Sequence, residues 1–110
     1  MAKTVDFFWQ RGEALDYVNA TDTLIESGTI IELGDKLGVA ACDIAPGSVG
    51  SVHVEGVFKF AKGSGALAQG AAVTITNGTA AEAGSGDTVH GYVAAPAAAG
   101  DTTVLVKINA

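Results

Sequence analysis

The sequence has few of the residues from which catalytic and metal sites are most often built. Cysteine occurs once, as Cys42, and histidine occurs twice. A single cysteine forms no internal disulfide, which is typical of a chain that folds in a reducing compartment. Because Cys42 ends an apolar run, we expect it to be a small buried hydrophobe rather than a reactive thiol.

Basic residues and long apolar runs are also scarce. The 110 residues include six lysines and arginines against twelve carboxylates, which gives a net charge of -6. An acidic chain repels a phosphate backbone, so the composition disfavours nucleic-acid binding. The start of the chain lacks the apolar core of a signal peptide, and no run is long enough to span a bilayer. We therefore expect neither a nucleic-acid partner nor a membrane partner.

Glycine, in contrast, is abundant, with 15 residues against two prolines. Glycines at regular intervals between short alternating runs predict many tight turns, so the fold class is all-β: a small β-sandwich or barrel of short antiparallel strands. The step from Gly38 to Gly47 equals the step from Gly91 to Gly100, at nine residues each. This echo suggests two similar three-strand units. We expect a single β domain over residues 14–110, preceded by an extended N-terminal arm, residues 1–13.

The clearest alternation runs over residues 51–61. Its even positions are apolar except for Gly56, and its odd positions are mostly polar. Because successive side chains of a strand point to opposite faces, this stretch predicts one long half-buried strand, with a bulge, a bend or a close approach by another backbone at Gly56. The predicted inward residues are Val52, Val54, Phe58 and Phe60.

Two apolar residues lie on otherwise polar strand faces. Val57 is on the polar side of residues 51–61, and Leu105 is on the polar side of the last predicted strand, residues 102–108. A core with few large residues gains stability when strand faces are buried between copies. Val57 and Leu105 are therefore the candidate subunit contacts.

In the second half of the chain, residues 71–76 predict a strand that ends at the tight-turn pair Asn77-Gly78. Residues 79–86 are small and polar and predict an exposed loop. In the next predicted strand, residues 88–94, Val89 and Val93 are expected to point inward, and His90 and Tyr92 outward.

No catalytic or cofactor motif emerges from these elements. His53, Glu55 and Lys59 share a predicted face. If His90 lay on a neighbouring strand, His53, Glu55 and His90 would form a His-Glu-His cluster. A sheet surface that faces solvent or another subunit explains these polar residues better. The segment Lys62-Gly63-Ser64-Gly65 has the composition of a phosphate loop in the wrong order, and we expect a flexible loop. Ser51, His53 and Asp87 lack a nucleophile elbow. We predict no catalytic residue, no metal and no cofactor.

The first segment differs from the rest. Phe7, Phe8 and Trp9 make up three of the seven aromatic residues, and Arg11 follows them. Two interpretations remain open: the triplet folds back as a lid on the core, or it belongs to an arm that docks on another molecule. For the second interpretation, the candidate contact residues are Phe7, Phe8, Trp9 and Arg11.

Several short stretches occur in an order and spacing that resemble a family of small tailed-phage and prophage head proteins, the capsid cement or decoration proteins. The resemblance covers nearly the whole chain, and the aromatic triplet at residues 7–9 departs from it. The matching stretches are MAK at 1–3, LDYVNAT at 15–21, IESG at 25–28, LGVA at 37–40, DIA at 43–45, VEGVF at 54–58, AQGA at 68–71 and GDTTVLV at 100–106.

The resemblance implies a structural virion protein, made in the host cytoplasm, that adds to the exterior of an icosahedral head. It implies the major capsid protein as a partner, a homotrimer as the oligomer, and stabilisation of the capsid lattice. It supplies no catalytic residues. The alternative function is a carbohydrate- or host-binding β module on the virion surface, with Tyr92 and Trp9 as the aromatic residues able to stack on a sugar.

Overall fold

The computed structural model describes residues 10–110, and every regular element in that range is a β-strand. The all-β prediction is therefore confirmed. No helix long and apolar enough to cross a bilayer occurs among these residues. In chain order the strands are β1 (Ala14–Val18), β2 (Ile30–Leu33), β3 (Lys36–Ala40), β4 (Val49–His53), β5 (Val57–Lys62), β6 (Ala72–Thr76), β7 (Thr79–Glu82), β8 (Gly91–Ala95) and β9 (Thr103–Ile108).

The strands form two hydrogen-bonded units. The first four make an open antiparallel sheet in the order β1-β4-β3-β2, and the last five close into a barrel in the order β5-β7-β6-β8-β9. The prediction of antiparallel strands is wrong at one place, because β5 and β7 pair in parallel. The Asn77-Gly78 turn is confirmed: it joins antiparallel β6 and β7, and both residues have positive φ, as a tight hairpin requires.

The predicted single strand over residues 51–61 is two strands in different units. β4 ends at His53 in the sheet, and β5 begins at Val57 in the barrel. The chain changes direction at Gly56, whose φ of +126° is available to glycine but strained for other residues. The bend at Gly56 was predicted correctly, whereas the continuity of the strand was not.

Two hydrophobic clusters hold the units together. The sheet core contains Ile31, Ala40, Ile44 and Val52. The barrel core is larger and includes Leu37 and Val39, which belong to β3 of the sheet. The β2–β3 half of the sheet therefore packs on the barrel, since side chains of β3 are buried among barrel residues. The remaining members of the barrel core are Phe60, Leu67, Val73, Ile75, Ala80, Val93, Ala97, Val104, Val106 and Ile108.

The echo between the two halves of the sequence has a structural counterpart. An isolated antiparallel bridge joins Ile25 to Ile44 in the first unit and Leu67 to Ala97 in the second. Each of these four residues is followed by a tight turn that ends in glycine and leads towards a strand. The repeat is therefore present, but the units have four and five strands within the described range rather than three each.

Several local predictions in the second half are wrong. Residues 79–82 form β7 instead of a loop, and β8 begins at Gly91, later than predicted. His90 precedes β8 and is buried, while Val89 is exposed, the reverse of the prediction. The cause is a non-local contact: the Nδ1 atom of His90 accepts a hydrogen bond from the Ile75 amide at 2.8 Å.

Cys42 and Lys62 each lie in an environment opposite to the predicted one. Cys42 is exposed in the bend after β3, so its prediction as a buried hydrophobe is wrong. Lys62 ends β5 and is buried rather than part of a flexible loop. Its Nζ donates to the backbone carbonyls of Gly63 at 2.9 Å and of Ala99 and Asp101 at 3.3 Å. Three acceptors satisfy the three donors of the ammonium group, which compensates its burial.

Candidate interaction surfaces

The predicted contact residues of the N-terminal segment fall partly outside the structure. Phe7, Phe8 and Trp9 lie outside the described residues. Arg11 is included, and its Nη1 atom lies 3.9 Å from Oε1 of Glu13, with the two side chains 85% and 63% exposed. A pair so exposed and so long adds little stability. The guanidinium group of Arg11 therefore remains accessible at the entry to β1.

Val57 and Leu105 lie on the outer wall of the barrel, with 51% and 38% of their surfaces exposed. β5 and β9 are neighbours, and their register places Val57 opposite Lys107 and Lys59 opposite Leu105. The two residues are therefore diagonal neighbours on one face. Lys107 also pairs with Tyr92 on β8, so Val57, Lys107 and Tyr92 lie side by side across three strands. We call Val57, Lys59, Tyr92, Leu105 and Lys107 the barrel face.

The barrel face is apolar and basic. Strands β5, β8 and β9 contain no carboxylate, and Lys59 and Lys107 are both exposed. The Nζ atom of Lys107 lies 5.9 Å from the centroid of the Tyr92 ring, within reach of a cation–π contact. Lys107 therefore lies over the Tyr92 ring, the surface on which a sugar would stack in the carbohydrate-binding alternative.

A second exposed surface lies on the sheet. Val39 is opposite His53, so by alternation Val49 and Ser51 share the sheet side that β3 buries against the barrel. β4 and β1 extend beyond the barrel on that side. Val18 and Val49 are directly opposite each other there, with 54% and 60% of their surfaces exposed.

Asp16 shares this side, because it pairs with Ser51, and it is also exposed. We call Asp16, Val18, Val49 and Ser51 the sheet face. Sequence patterns do not predict this surface, because Val18 and Val49 are 31 positions apart and only the pairing of β1 with β4 brings them together.

The residues considered for chemistry do not assemble into one site. His53 and Glu55 line a cleft of about 320 Å³ between the units, together with Glu13 and Lys107. His90 lines a different cleft, of about 300 Å³. The hypothetical His-Glu-His cluster is therefore not formed. Within residues 10–110, no group of three or more histidine, cysteine or carboxylate side chains is placed to hold a metal ion.

The other candidate constellation is also dispersed. Ser51 and His53 are on β4, whereas Asp87 lies between β7 and β8. There its Oδ2 atom accepts a hydrogen bond from the Gly84 amide at 2.8 Å, so the carboxylate closes its own turn. The ring of His53 lies 5.9 Å from that of Phe58, centroid to centroid.

Comparison with known proteins identifies one family. The family model for the phage cement protein matches residues 9–108. No curated protein and no solved structure matched the chain. The match covers all nine described strands and both of the surfaces defined above.

Proposed function

Because this chain belongs to the phage cement protein family, we propose that it binds the outside of an icosahedral phage head and stabilises the lattice of the major capsid protein. The family points to a structural role and to a place in the capsid of the virion. The observation that carries the proposal is the extent of the match, residues 9–108 of 110. Synthesis in the host cytoplasm, before addition to the head, is part of the same proposal.

Lattice stabilisation requires no deep pocket and no large interface for each copy. A head presents the same binding position many times, so modest contacts repeated over neighbouring capsid subunits add up through multivalency. The acidic surface, with a net charge of -6, suits an external position away from the packaged genome. These considerations support a cement that bridges subunits from outside.

The contact with the capsid is assigned to the N-terminal arm, residues 1–13, which precedes the β domain of residues 14–110. Aromatic residues and arginine are the types that most often dominate binding energy at interfaces. Phe7, Phe8, Trp9 and Arg11 provide this combination in five consecutive positions. The exposure of the Arg11 guanidinium supports its share in the contact, because the weak pair with Glu13 is easily exchanged for a capsid carboxylate.

The oligomer proposed for this protein is a homotrimer in which Val57 and Leu105 are buried between copies. Both side chains are exposed on the barrel face of the single chain. Covering them removes apolar surface from water, at about 25 cal/mol for each Å².

Co-sedimentation with expanded empty heads of the phage that encodes the chain tests the capsid proposal. We expect the full chain to sediment with the heads and to raise the temperature at which they disrupt. A full chain that stays in the supernatant would overturn the proposal.

The role of the arm is tested in the same assay with a chain lacking residues 1–10 and with a triple variant, Phe7→Ala, Phe8→Ala and Trp9→Ala. We expect both to lose head binding while their circular dichroism and unfolding midpoint remain those of the full chain, because β1 begins only at Ala14. If either variant binds as well as the full chain, the aromatic triplet is not the capsid contact.

A further inference from the structure

We propose that copies of this chain associate by placing the barrel face of one copy against the sheet face of another. The proposal rests on the oligomer of the proposed function and deepens it, since it names both surfaces that meet. It also assigns an interaction to Asp16, Val18 and Val49. The contact is heterologous, because each copy contributes one surface of each kind.

The first argument is the uneven distribution of charge. Residues 10–54 carry seven carboxylates against two basic side chains, Arg11 and Lys36, which is a net side-chain charge of -5. Residues 55–110 carry four carboxylates against Lys59, Lys62 and Lys107, a net of -1. Lys62 is buried on backbone carbonyls, so the exposed lysines of this half are the two on the barrel face. The exposed lysines of the less acidic half are therefore gathered on one face, whereas the other half is strongly acidic.

The second argument is the position of the exposed large hydrophobic residues. Three of them lie on the barrel face, which carries two lysines, and two lie on the sheet face, which carries Asp16. Carboxylates border the barrel face, since Glu55 shares a cleft with Lys107, and Asp101 shares one with Lys59. Contiguous apolar surface framed by polar residues typically marks a protein contact. The barrel-face residues are Val57, Tyr92 and Leu105, and the sheet-face residues are Val18 and Val49.

The third argument is the electrostatic complementarity of the possible contacts between copies. A symmetric contact of two barrel faces brings four lysines together, and a symmetric contact of two sheet faces brings Asp16 against its own copy. Like charges facing each other in an interface are unfavourable, whereas Lys59 and Lys107 opposite Asp16 are complementary. Valine side chains from one copy then meet valine, leucine and tyrosine from the other. Charge thus favours the unlike pairing.

The test uses charge reversal and sedimentation velocity on the full chain, without capsids. One variant carries Lys59→Glu and Lys107→Glu, and the other carries Asp16→Lys. We expect each alone to associate about tenfold more weakly than the unaltered chain, because each now opposes like charges. Asp35→Lys, in the exposed β2–β3 turn, changes the net charge as much as Asp16→Lys, and Lys36→Glu, at the start of β3, changes it half as much as the double lysine variant; both controls should associate normally.

Mixing the two weakened variants is the decisive measurement. In the mixture the acidic barrel face of one variant meets the basic sheet face of the other, so we expect association to return. A mixture that remains as dissociated as its components would overturn the pairing, as would an unaltered chain that is monomeric at its highest soluble concentration. If the controls weaken association equally, the effect is one of net charge and the proposal is wrong. Head co-sedimentation of the unaltered chain is scored separately, so loss of this proposal is distinguishable from loss of the capsid proposal.

Discussion

At the scale of single residues, the most constrained polar side chain is Asn19. It is fully buried, and its Nδ2 atom donates to the carbonyls of Thr23 and Ile44, at 2.8 Å each. Its Oδ1 atom accepts from the amide and hydroxyl of Thr21. The backbone of the same residue bonds to Gly47 and Ser48. Asn19 thus holds the loop after β1 against the loop before β4.

We expect Asn19→Ala to lower the free energy of unfolding by about 2–3 kcal/mol, because it removes the side-chain hydrogen bonds to Thr21, Thr23 and Ile44 and leaves a cavity at a fully buried position. Urea denaturation followed by circular dichroism measures the change. Gln10→Ala is the control, since Gln10 is exposed and makes one long bond of 3.5 Å, and it should shift stability by less than about 0.5 kcal/mol.

Asn19→Asp separates the donor role from the acceptor role. The carboxylate keeps the bonds to Thr21 but presents oxygen to two carbonyl oxygens, so it should destabilise at least as much as alanine. If Asn19→Asp leaves the free energy of unfolding unchanged, the two donated hydrogen bonds are not what stabilises the loops.

Two other buried polar residues are satisfied by backbone groups in the same way. Lys62 donates to three carbonyls, and His90 accepts from the Ile75 amide. Because the Nδ1 atom of His90 is an acceptor, the neutral ring carries its proton on Nε2. Lys62 thereby joins the end of β5 to the loop before β9, and His90 joins the segment before β8 to β6.

At the scale of elements, the connection between sheet and barrel depends on Asn109, just after β9. Its Oδ1 atom accepts from the Leu37 amide at 2.9 Å, and its Nδ2 atom donates to the carbonyls of Leu37 and Val54 at 2.7 Å each. Asn109 has a φ of +58°, which asparagine tolerates better than most residues. The end of the barrel is thereby fastened to β3 and to the link between β4 and β5.

We expect Asn109→Gly to speed hydrogen exchange of the Leu37 amide by about tenfold or more, because one lost hydrogen bond is worth roughly 1–1.5 kcal/mol. Glycine preserves the positive φ, so the change isolates the side-chain amide. Asn77→Gly, at the other asparagine with positive φ, is the matched control in an exposed turn and should leave Leu37 unchanged. Unaltered protection of Leu37 in Asn109→Gly would show that the fastening lies elsewhere.

At the scale of the whole molecule, the two cores are joined by β3. Its two faces serve different clusters: Leu37 and Val39 are in the barrel core, whereas Ala40 is in the sheet core. Neither unit therefore exposes its inner surface without disturbing the other. The physical consequence is cooperative unfolding of sheet and barrel.

We expect thermal unfolding with one midpoint for methyl signals of Ile31 in the sheet core and Ile108 in the barrel core. Leu37→Ala should lower both midpoints together. Because Leu37 is fully buried, the substitution should lower the free energy of unfolding by about 2–5 kcal/mol. Ile44→Val, a smaller deletion in the sheet core, should cost about 0.5–1.5 kcal/mol and also shift both. Separate midpoints for the two methyl groups would mean that sheet and barrel unfold independently.

The interaction surfaces divide between what was predictable and what was not. Alternation placed Val57 and Leu105 outward, and both are exposed on one face. Alternation also puts Lys59 beside Val57 and Lys107 beside Leu105, whereas only the register of β5, β9 and β8 brings these pairs together with Tyr92. The sheet face was not predicted, because it depends on β1 pairing with a strand 31 residues further along.

The sequence by itself determined the all-β class, the tight turn at Asn77-Gly78, the departure from a regular strand at Gly56 and the inward face of β9. These features depend on local chemistry: side-chain alternation, and residues that accept positive φ. The tertiary structure decided which strands pair. The unbroken alternation over residues 51–61 hid a change of unit, because Val52 and Phe60 have the same parity yet lie in different cores.

Non-local pairing also decided the environments of Cys42, Lys62 and His90. Their neighbours in the chain indicate a buried cysteine, a loop lysine and an outward histidine. In the structure, His90 bonds to a backbone amide 15 residues away, Lys62 bonds to carbonyls 37 and 39 residues away as well as to that of Gly63, and Cys42 faces solvent. The burial of these side chains depends on which segments the barrel and the sheet bring together. The alternation of side chains along one strand contains no information about which distant segments meet.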